Sequence, residues 1–265
     1  MDESWVGRAE AWFHEYVNRF REDGTLSPMH ESKYVHSLKV ADEAEGIAAE
    51  SDWSAGDVRT ARAAGLLHDV GRFSQVAEFG TFVDVRSVDH GRRGVEVLTA
   101  EGVCDDWPSD DRRAVLDAVL LHNRKTIPES LNGRPLAMTK LVRDADKLDI
   151  FRVVREAVET GRDRRHRELL ALPDPDAGLN DDLLNLIRAG RQGSHAEIRS
   201  FVDLMVLKLA WVFDINYPAA MARIFDRGHL EWVRQRLPDD PNVEEAYAIA
   251  RAARDDALSG AAEEA

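Results

Sequence analysis

Helical periodicity runs along most of this sequence and is the feature that most limits how it can fold. Residues 3–20 place aromatic side chains such as Trp12 and Tyr16 on one side of a predicted helix, and residues 31–49 repeat the pattern with smaller apolar residues. No segment alternates convincingly between apolar and polar residues, as a half-buried strand would. The sequence therefore predicts an all-α fold, a helical bundle followed by additional C-terminal helices.

No linker in the sequence is long or flexible enough to separate two independent domains. A chain of 265 residues can bury a substantial core. We therefore predict a single all-helical domain over residues 1–265, with its core at about 31–160. A helical extension at 161–258 is expected to pack on this core, and residues 259–265 are expected to fray.

Turn-forming residues predict where several helices begin and end. Asp57 and Ser87 are placed to cap the first turns of two helices, and Gly71 to end the helix that begins near Asp57. Residues 73–86 then form a long irregular segment, rich in Phe and polar residues. Long loops within compact domains are often functional, so we expect this segment to cover a substrate site as a lid.

Net charge and cysteine content exclude several classes of protein. A net charge of -14 argues against a broad surface for nucleic acid or anionic membranes, although a bound metal and a few cations can still attract a small anionic substrate. The single cysteine, Cys104, rules out an intramolecular disulfide and fits a reducing compartment. The N-terminus lacks a signal-peptide pattern, and the most apolar segment, 204–213, is too short to span a bilayer. We expect a soluble cytoplasmic protein without a membrane partner.

Five consecutive helical segments each offer residues of the kind that bind metal ions. In chain order these are His36, His68-Asp69, His90, His122 and Asp146. The gaps are between 22 and 32 residues, about one helix and one turn, so successive helices of a bundle can point these side chains into one cavity. Imidazole and carboxylate ligands suit Mn, Fe, Co, Ni or Zn better than Ca, with Mg as a further candidate. We expect one or two divalent ions, the second at His90 and His122 with Asp69 bridging.

The order H…HD…H…H…D resembles the HD superfamily of metal-dependent phosphohydrolases. The likeness runs from about His36 to Asp149, and its strongest local signatures are Leu66-Leu67-His68-Asp69-Val70-Gly71-Arg72 and Ala145-Asp146-Lys147-Leu148. It implies an all-helical core with a minimal metal quartet of His36, His68, Asp69 and Asp146. His90 and His122 fall where bimetallic members, including HD-GYP phosphodiesterases, have added ligands. The Gly-Tyr-Pro signature is missing and Asn123 follows His122, so neither cyclic-di-GMP hydrolysis nor a third metal is expected.

The resemblance implies a phosphomonoesterase or phosphodiesterase that uses metal-activated water on a small phosphorylated molecule, such as a nucleotide. Asp69 would hold the ions and orient the attacking water. Arg72 and Lys147 would neutralise charge on the phosphoryl oxygens. Arg124 and Lys125, just after His122, are weaker candidates at the rim of the pocket.

Two other functions are compatible with the same ligands. A few relatives with this helical core, such as myo-inositol oxygenase, hold two irons and activate oxygen, and a non-catalytic signalling module could bind metal without turnover.

Within the last ligand helix, Asp144 and Asp146 point about 200° apart, so only one faces the centre. The Ala-Asp-Lys-Leu context favours Asp146, and Asp149, on the same face, is a candidate to support a ligand.

Overall fold

A computed structural model describes residues 4–161, 178–194 and 197–263. In these ranges the chain forms helices joined by turns and loops, with no strand beyond an isolated bridge between Glu22 and Thr25. The predicted all-α fold is thereby confirmed. None of the described helices is both long enough and apolar enough to cross a membrane.

The chain divides into two compact units, Met1–Ile150 and Phe151–Ala265. The helices that begin in the first unit are α1 (Ser4–Asn18), α2 (Pro28–Glu50), α3 (Ala55–Leu67), α4 (Gly71–Phe79), α5 (His90–Ala100), α6 (Ser109–Leu121) and α7 (Gly133–Glu159), with a 3-10 turn at Asp84–Arg86. The later ones are α8 (Asp181–Arg188), α9 (Phe201–Ala210), α10 (Pro218–Asp226), α11 (His229–Arg234) and α12 (Pro241–Glu263), with a 3-10 turn at Trp211–Asp214. The single domain over 1–265, with a core at about 31–160, stays a prediction.

In the second unit, a buried carboxylate organises the segments around the start of α9. Asp203 accepts hydrogen bonds from the backbone N–H groups of Asn180 at 2.8 Å and Arg199 at 2.9 Å, and forms a reciprocal capping box with Ser200. Residues 162–177 and 195–196 of the predicted C-terminal extension lie outside the described residues, as do the last two residues of the predicted frayed tail.

Several predicted helix ends are wrong by a few residues. Ser54 rather than Asp57 caps α3, and Asp89 rather than Ser87 caps α5, each by accepting a backbone N–H bond in the first turn. The larger error concerns Gly71, which begins α4 instead of ending the preceding helix, because α3 has already stopped at Leu67. The first half of the expected irregular segment 73–86 is therefore helical.

Helix α4 is stabilised because its apolar side is buried against neighbouring residues. Phe73 is fully buried and lies within 6.2 Å, ring centre to ring centre, of Phe13, Tyr16 and Phe20 on the N-terminal segment. His30 stacks on the Phe73 ring and donates from Nε2 to the Phe73 carbonyl at 3.0 Å. These contacts hold the start of α4, immediately after His68 and Asp69, against α1 and α2.

Glycines set the distance between the helices that carry the candidate ligands. A Cβ on Gly65 of α3 would lie 2.8 Å from the Val40 carbonyl oxygen and 3.0 Å from Ala41 Cα, both backbone atoms of α2. A Cβ on Gly71 would lie 2.5 Å from Gly94 N and closer still to the His90 carbonyl oxygen. Only a residue without a side chain permits such close approach. As a result, the segments bearing His36, His68 and His90 are near neighbours.

Candidate metal centre

The first unit brings all six predicted ligand residues to one buried place. His36 lies in the middle of α2, His68 and Asp69 in the turn between α3 and α4, His90 at the first residue of α5, His122 just after α6, and Asp146 within α7. The four histidines and Asp69 are no more than 6% exposed. His68 keeps helical backbone angles just after the end of α3, and its Nε2 lies 3.5 Å from Oδ2 of the adjacent Asp69, so both side chains face one centre.

One oxygen of Asp69 faces the first group of ligands, which we call site A: His36, His68, Asp146 and Asp69 Oδ2. Asp69 Oδ2 lies 3.6 Å from His36 Nε2 and 3.5 Å from His68 Nε2. Asp146 Oδ1 lies 3.1 Å and 3.7 Å from the same two nitrogens. Atoms spaced in this way can all reach one ion at the usual 2.0–2.2 Å.

The other oxygen of Asp69 faces the second group, site B: His90, His122 and Asp69 Oδ1. Asp69 Oδ1 lies 3.5 Å from His90 Nε2 and 3.6 Å from His122 Nε2. The two imidazole nitrogens are 3.0 Å apart. The two oxygens of Asp69 therefore face different pairs of histidines, and His68, Asp69 and His122 also lie close enough together to hold one ion.

All four histidines are held through the nitrogen that faces away from the centre. The Nδ1 atoms of His68 and His122 contact the carbonyl oxygens of Gly65 at 2.7 Å and Val119 at 2.9 Å. In the same way, Nδ1 of His36 contacts Asp149 Oδ2 and Nδ1 of His90 contacts Asp84 Oδ2, each at 2.6 Å. Carbonyl and carboxylate oxygens accept hydrogen bonds, so Nδ1 carries the proton and Nε2 is left to coordinate.

The Nε2 atoms of the four histidines are better suited to coordinate metal ions than to form hydrogen bonds. Those of His36 and His68 are buried and make no hydrogen bond of acceptable geometry, despite carboxylate oxygens nearby. In neutral imidazoles with protonated Nδ1, the Nε2 atoms of His90 and His122 would present two lone pairs to each other at 3.0 Å. A divalent cation in each site would satisfy these atoms, and the mixed imidazole and carboxylate donor set fits a transition metal.

The electrostatic surroundings keep Asp69 ionised. Burial alone would raise the pKa of Asp69, but the Lys33 ammonium and the surrounding histidines hold it well below its usual range. Burial and Arg72 lower the pKa of His90 to about 4, so this imidazole is neutral near pH 7. Burial and Lys33 oppose protonation of His36, yet Asp146 and Asp149 outweigh them and raise its pKa, so a proton competes with metal there.

Three residues near the centre were not predicted from the sequence. Lys33 Nζ contacts Asp69 Oδ2 at 2.7 Å, Asp84 supports His90, and Asn123 Nδ2 lies 3.4 Å from His90 Nδ1. Lys33 precedes His36 by three residues and so shares its helical face, a spacing that could have revealed it. Asp84 lies in the connection between α4 and α5, where no periodicity points to it.

The predicted cationic residues occupy different environments. Arg72 reaches the centre, with its Nε 3.6 Å from Asp69 Oδ1. Lys147 is 7% exposed, and its Nζ lies 3.5 Å from the Arg143 carbonyl oxygen of the same helix. Arg124 pairs with Asp89 at 2.7 Å. Among these cations, Arg72 is the best placed to contact an anion bound at the metal centre.

The acidic residues of α7 divide as their helical spacing predicts. Asp146 faces His36 and His68, and Asp149 supports His36 from behind. Asp144 is fully buried. The choice of Asp146 over Asp144 as the inward-facing residue agrees with the geometry, while its role as a ligand stays a prediction.

Replacing Lys33 by Met is expected to tighten metal binding, roughly tenfold or more, because an ammonium that repels the ion and competes for Asp69 Oδ2 is removed. Titration of the metal-free variant with Mn²⁺ in a calorimeter measures the change. Lys39→Met is the matched control, since Lys39 lies on the same helix and its side chain is 54% exposed. Equal Mn²⁺ affinity in wild type and the Lys33 variant would contradict the competition.

Residues 34–151 match the family model described as the HD domain. The matched range contains every residue of sites A and B, and HD domains bind divalent metals. No curated protein and no solved structure matches the chain closely enough to be compared with it.

Proposed function

Since residues 34–151 form an HD domain, the fold of a superfamily of metal-dependent phosphohydrolases, we propose that this chain hydrolyses a phosphoric ester bond in a small phosphorylated molecule. The observation that carries the proposal is the arrangement around Asp69. Its two oxygens face separate pairs of histidine Nε2 atoms, and every one of those imidazoles is held through Nδ1. Such an arrangement is suited to two ions that share one carboxylate.

The ligands of sites A and B would hold one or two divalent ions, with Mn, Fe, Co, Ni or Zn favoured by the donor set and Mg as a further candidate. Bound there, they would supply Lewis acidity and lower the pKa of water toward neutrality. Asp69 would fix the spacing between the sites and orient the attacking water. The Nδ1 contacts keep the four imidazoles from turning away, so little reorganisation is needed when substrate arrives.

Arg72 is the residue best placed to bind the phosphoryl group. Its Nη1 donates hydrogen bonds to Gln75 Oε1, the Phe82 carbonyl oxygen and Asp84 Oδ1 at 2.6–2.8 Å. Its Nε is buried without a hydrogen bond, and no described residue accepts one from Nη2. These two nitrogens form one edge of the guanidinium, and an edge of this kind binds two phosphoryl oxygens at once.

Lys33 and Phe82 complete the surroundings of that edge. The Lys33 ammonium and the Arg72 guanidinium lie 5.5 Å and 5.7 Å from the centre of the Phe82 ring. Two cations beside a carboxylate and two metal sites would favour a compact anion despite the net charge of -14. We therefore propose a small phosphorylated substrate, such as a nucleotide, rather than a nucleic-acid polymer. Lys147 is a weaker candidate to contact it, because its side chain is buried and its Nζ lies 3.5 Å from the Arg143 carbonyl oxygen.

The proposal is tested by assaying metal-free protein, reloaded separately with Mn²⁺, Fe²⁺, Co²⁺, Ni²⁺, Zn²⁺ or Mg²⁺, against phosphomonoesters, phosphodiesters and nucleotides. Metal-dependent release of phosphate or of the alcohol is expected with at least one ion, and the His68→Ala/Asp69→Ala double variant should lack it. Inactivity of the wild type with every ion would refute the proposal. Oxygen consumption by the iron-loaded protein without phosphoester cleavage would instead identify an oxygenase.

A further inference from the structure

The four histidine supports are unequal. Those of His68 and His122 are carbonyl groups of their own helices, and that of His36 is Asp149, a buried residue of α7. His90 depends instead on Asp84, which begins the 3-10 turn Asp84–Arg86 and has a side chain 31% exposed. Site B is therefore the part of the centre whose geometry depends on a connecting segment.

Both oxygens of Asp84 are occupied, and by different parts of the site. Oδ2 accepts from His90 Nδ1 at 2.6 Å. Oδ1 accepts from Arg72 Nη1 at 2.8 Å and from Gln75 Nε2 at 2.9 Å. Gln75 is fully buried and also accepts from Arg72 Nη1, so a hydrogen-bonded ring joins α4 to the turn. One carboxylate thus links a candidate metal ligand to the guanidinium beside it.

The position of the Arg72 edge follows from the same contacts. Because Nη1 is fixed by Asp84, Gln75 and the Phe82 carbonyl, the planar guanidinium cannot rotate, and its Nε remains 3.6 Å from Asp69 Oδ1. Without Asp84, Arg72 would lose a charged partner while His90 would lose the acceptor that orients its ring. Both losses affect the Asp69 Oδ1 side of the centre.

We propose that Asp84 is a positioning residue that builds site B and aims the phosphoryl-binding edge of Arg72 at it, an inference that rests on the function proposed above. The carboxylate touches neither the metal nor the substrate and acts through His90 and Arg72. Binding of the second ion and binding of the phosphoryl group accordingly share one support. Site A, whose supports lie elsewhere, is independent of Asp84.

The test is a Mn²⁺ titration of metal-free wild type and of Asp84→Ala and Asp84→Asn, by calorimetry and electron paramagnetic resonance. Wild type should bind two ions and give the spectrum of an exchange-coupled pair. The Asp84 variants should bind the first ion unchanged and the second about 10–100-fold more weakly, with the spectrum of an isolated ion. Asparagine should fail too, because its single carbonyl oxygen cannot serve both His90 and Arg72.

Asp89→Asn is the matched control. Asp89 lies in the same connection with a side chain 27% exposed, caps α5 and pairs with Arg124. Asparagine also caps helices well, so this variant removes the same charge while leaving α5 intact. It should retain both ions and the coupled spectrum. Thermal unfolding of each metal-free variant checks that the fold survives.

Inorganic phosphate provides a second measurement on the Mn²⁺-loaded proteins. Its affinity should fall at least severalfold in both Asp84 variants and stay at the wild-type value in Asp89→Asn. Two tightly bound ions and unchanged phosphate affinity in the Asp84 variants would overturn the inference and leave the proposed hydrolase intact. A wild type that binds one ion would also overturn it, whereas one that binds no ion would defeat the proposed function itself.

Discussion

Replacing Asp69 by Asn is expected to abolish phosphoester hydrolysis, lowering kcat/KM on the order of 10³-fold or more, which at about 1.36 kcal/mol per tenfold is about 4 kcal/mol of transition-state stabilisation. Asparagine matches the shape of Asp69 but offers one neutral oxygen where the carboxylate offers two. It can serve site A or site B but cannot bridge them. It also leaves the Lys33 ammonium without the counter-charge it contacts at 2.7 Å.

The measurement combines steady-state kinetics, on whichever phosphoester the wild type cleaves, with metal content after dialysis. The Asn variant should retain at most one ion, and a normal unfolding temperature would show that the loss is chemical. Asp89→Asn, which removes a carboxylate outside the six ligand positions, is the control for charge. Full activity of Asp69→Asn with two bound ions would contradict the bridging role.

Replacing Gly71 by Ala should lower the free energy of unfolding by about 3 kcal/mol or more, a large loss for a single added methyl group. The new Cβ would approach Gly94 N to 2.5 Å and the His90 carbonyl more closely still. These are backbone atoms of α5, so the strain cannot be relieved by turning a side chain. The helix must move, and His90, its first residue, moves with it.

Urea unfolding of the metal-free protein measures the stability loss, and the Mn²⁺ titration should show a weakened second site in the same variant. Gly7→Ala in α1 is the control, because a Cβ there meets nothing within 4 Å. Gly7 is an exposed position of α1, so alanine there should stabilise the protein slightly, by up to about 1 kcal/mol. A Gly71→Ala variant as stable as wild type would mean that α4 and α5 are not tightly packed.

The sequence predicted the all-α fold and the residues that converge, because both depend on spacing within helices. His36, His68 and Asp146 are separated by whole helices, and the pattern of one ligand-type residue per segment was visible without knowing how the helices cross. The 200° angle between Asp144 and Asp146 indicated that only one of them faces the centre, and the Ala-Asp-Lys-Leu context selected Asp146. Geometry of this kind depends only on the positions of residues along a helix.

Features that depend on tertiary contacts could not be predicted in the same way. Gly71 has the sequence signature of a helix end, yet it is present because α5 packs against it, a reason that lies 19 or more residues further along the chain. Asp84 supports His90 from an irregular connection, and its partners are defined only once α4, the turn and α5 are assembled. The spacing of residues along the chain does not predict such contacts.

The pairing of Lys33 with Asp69 has a consequence for how the protein matures. A buried carboxylate without a counter-charge costs several kcal/mol. Many small metallo-domains stay unfolded until metal binds, because the free energy of metal binding drives their folding. In this chain the counter-ion is part of the polypeptide itself. We therefore expect the metal-free chain to fold with Lys33 paired to Asp69, and an ion that binds there would have to displace this ammonium from Asp69 Oδ2.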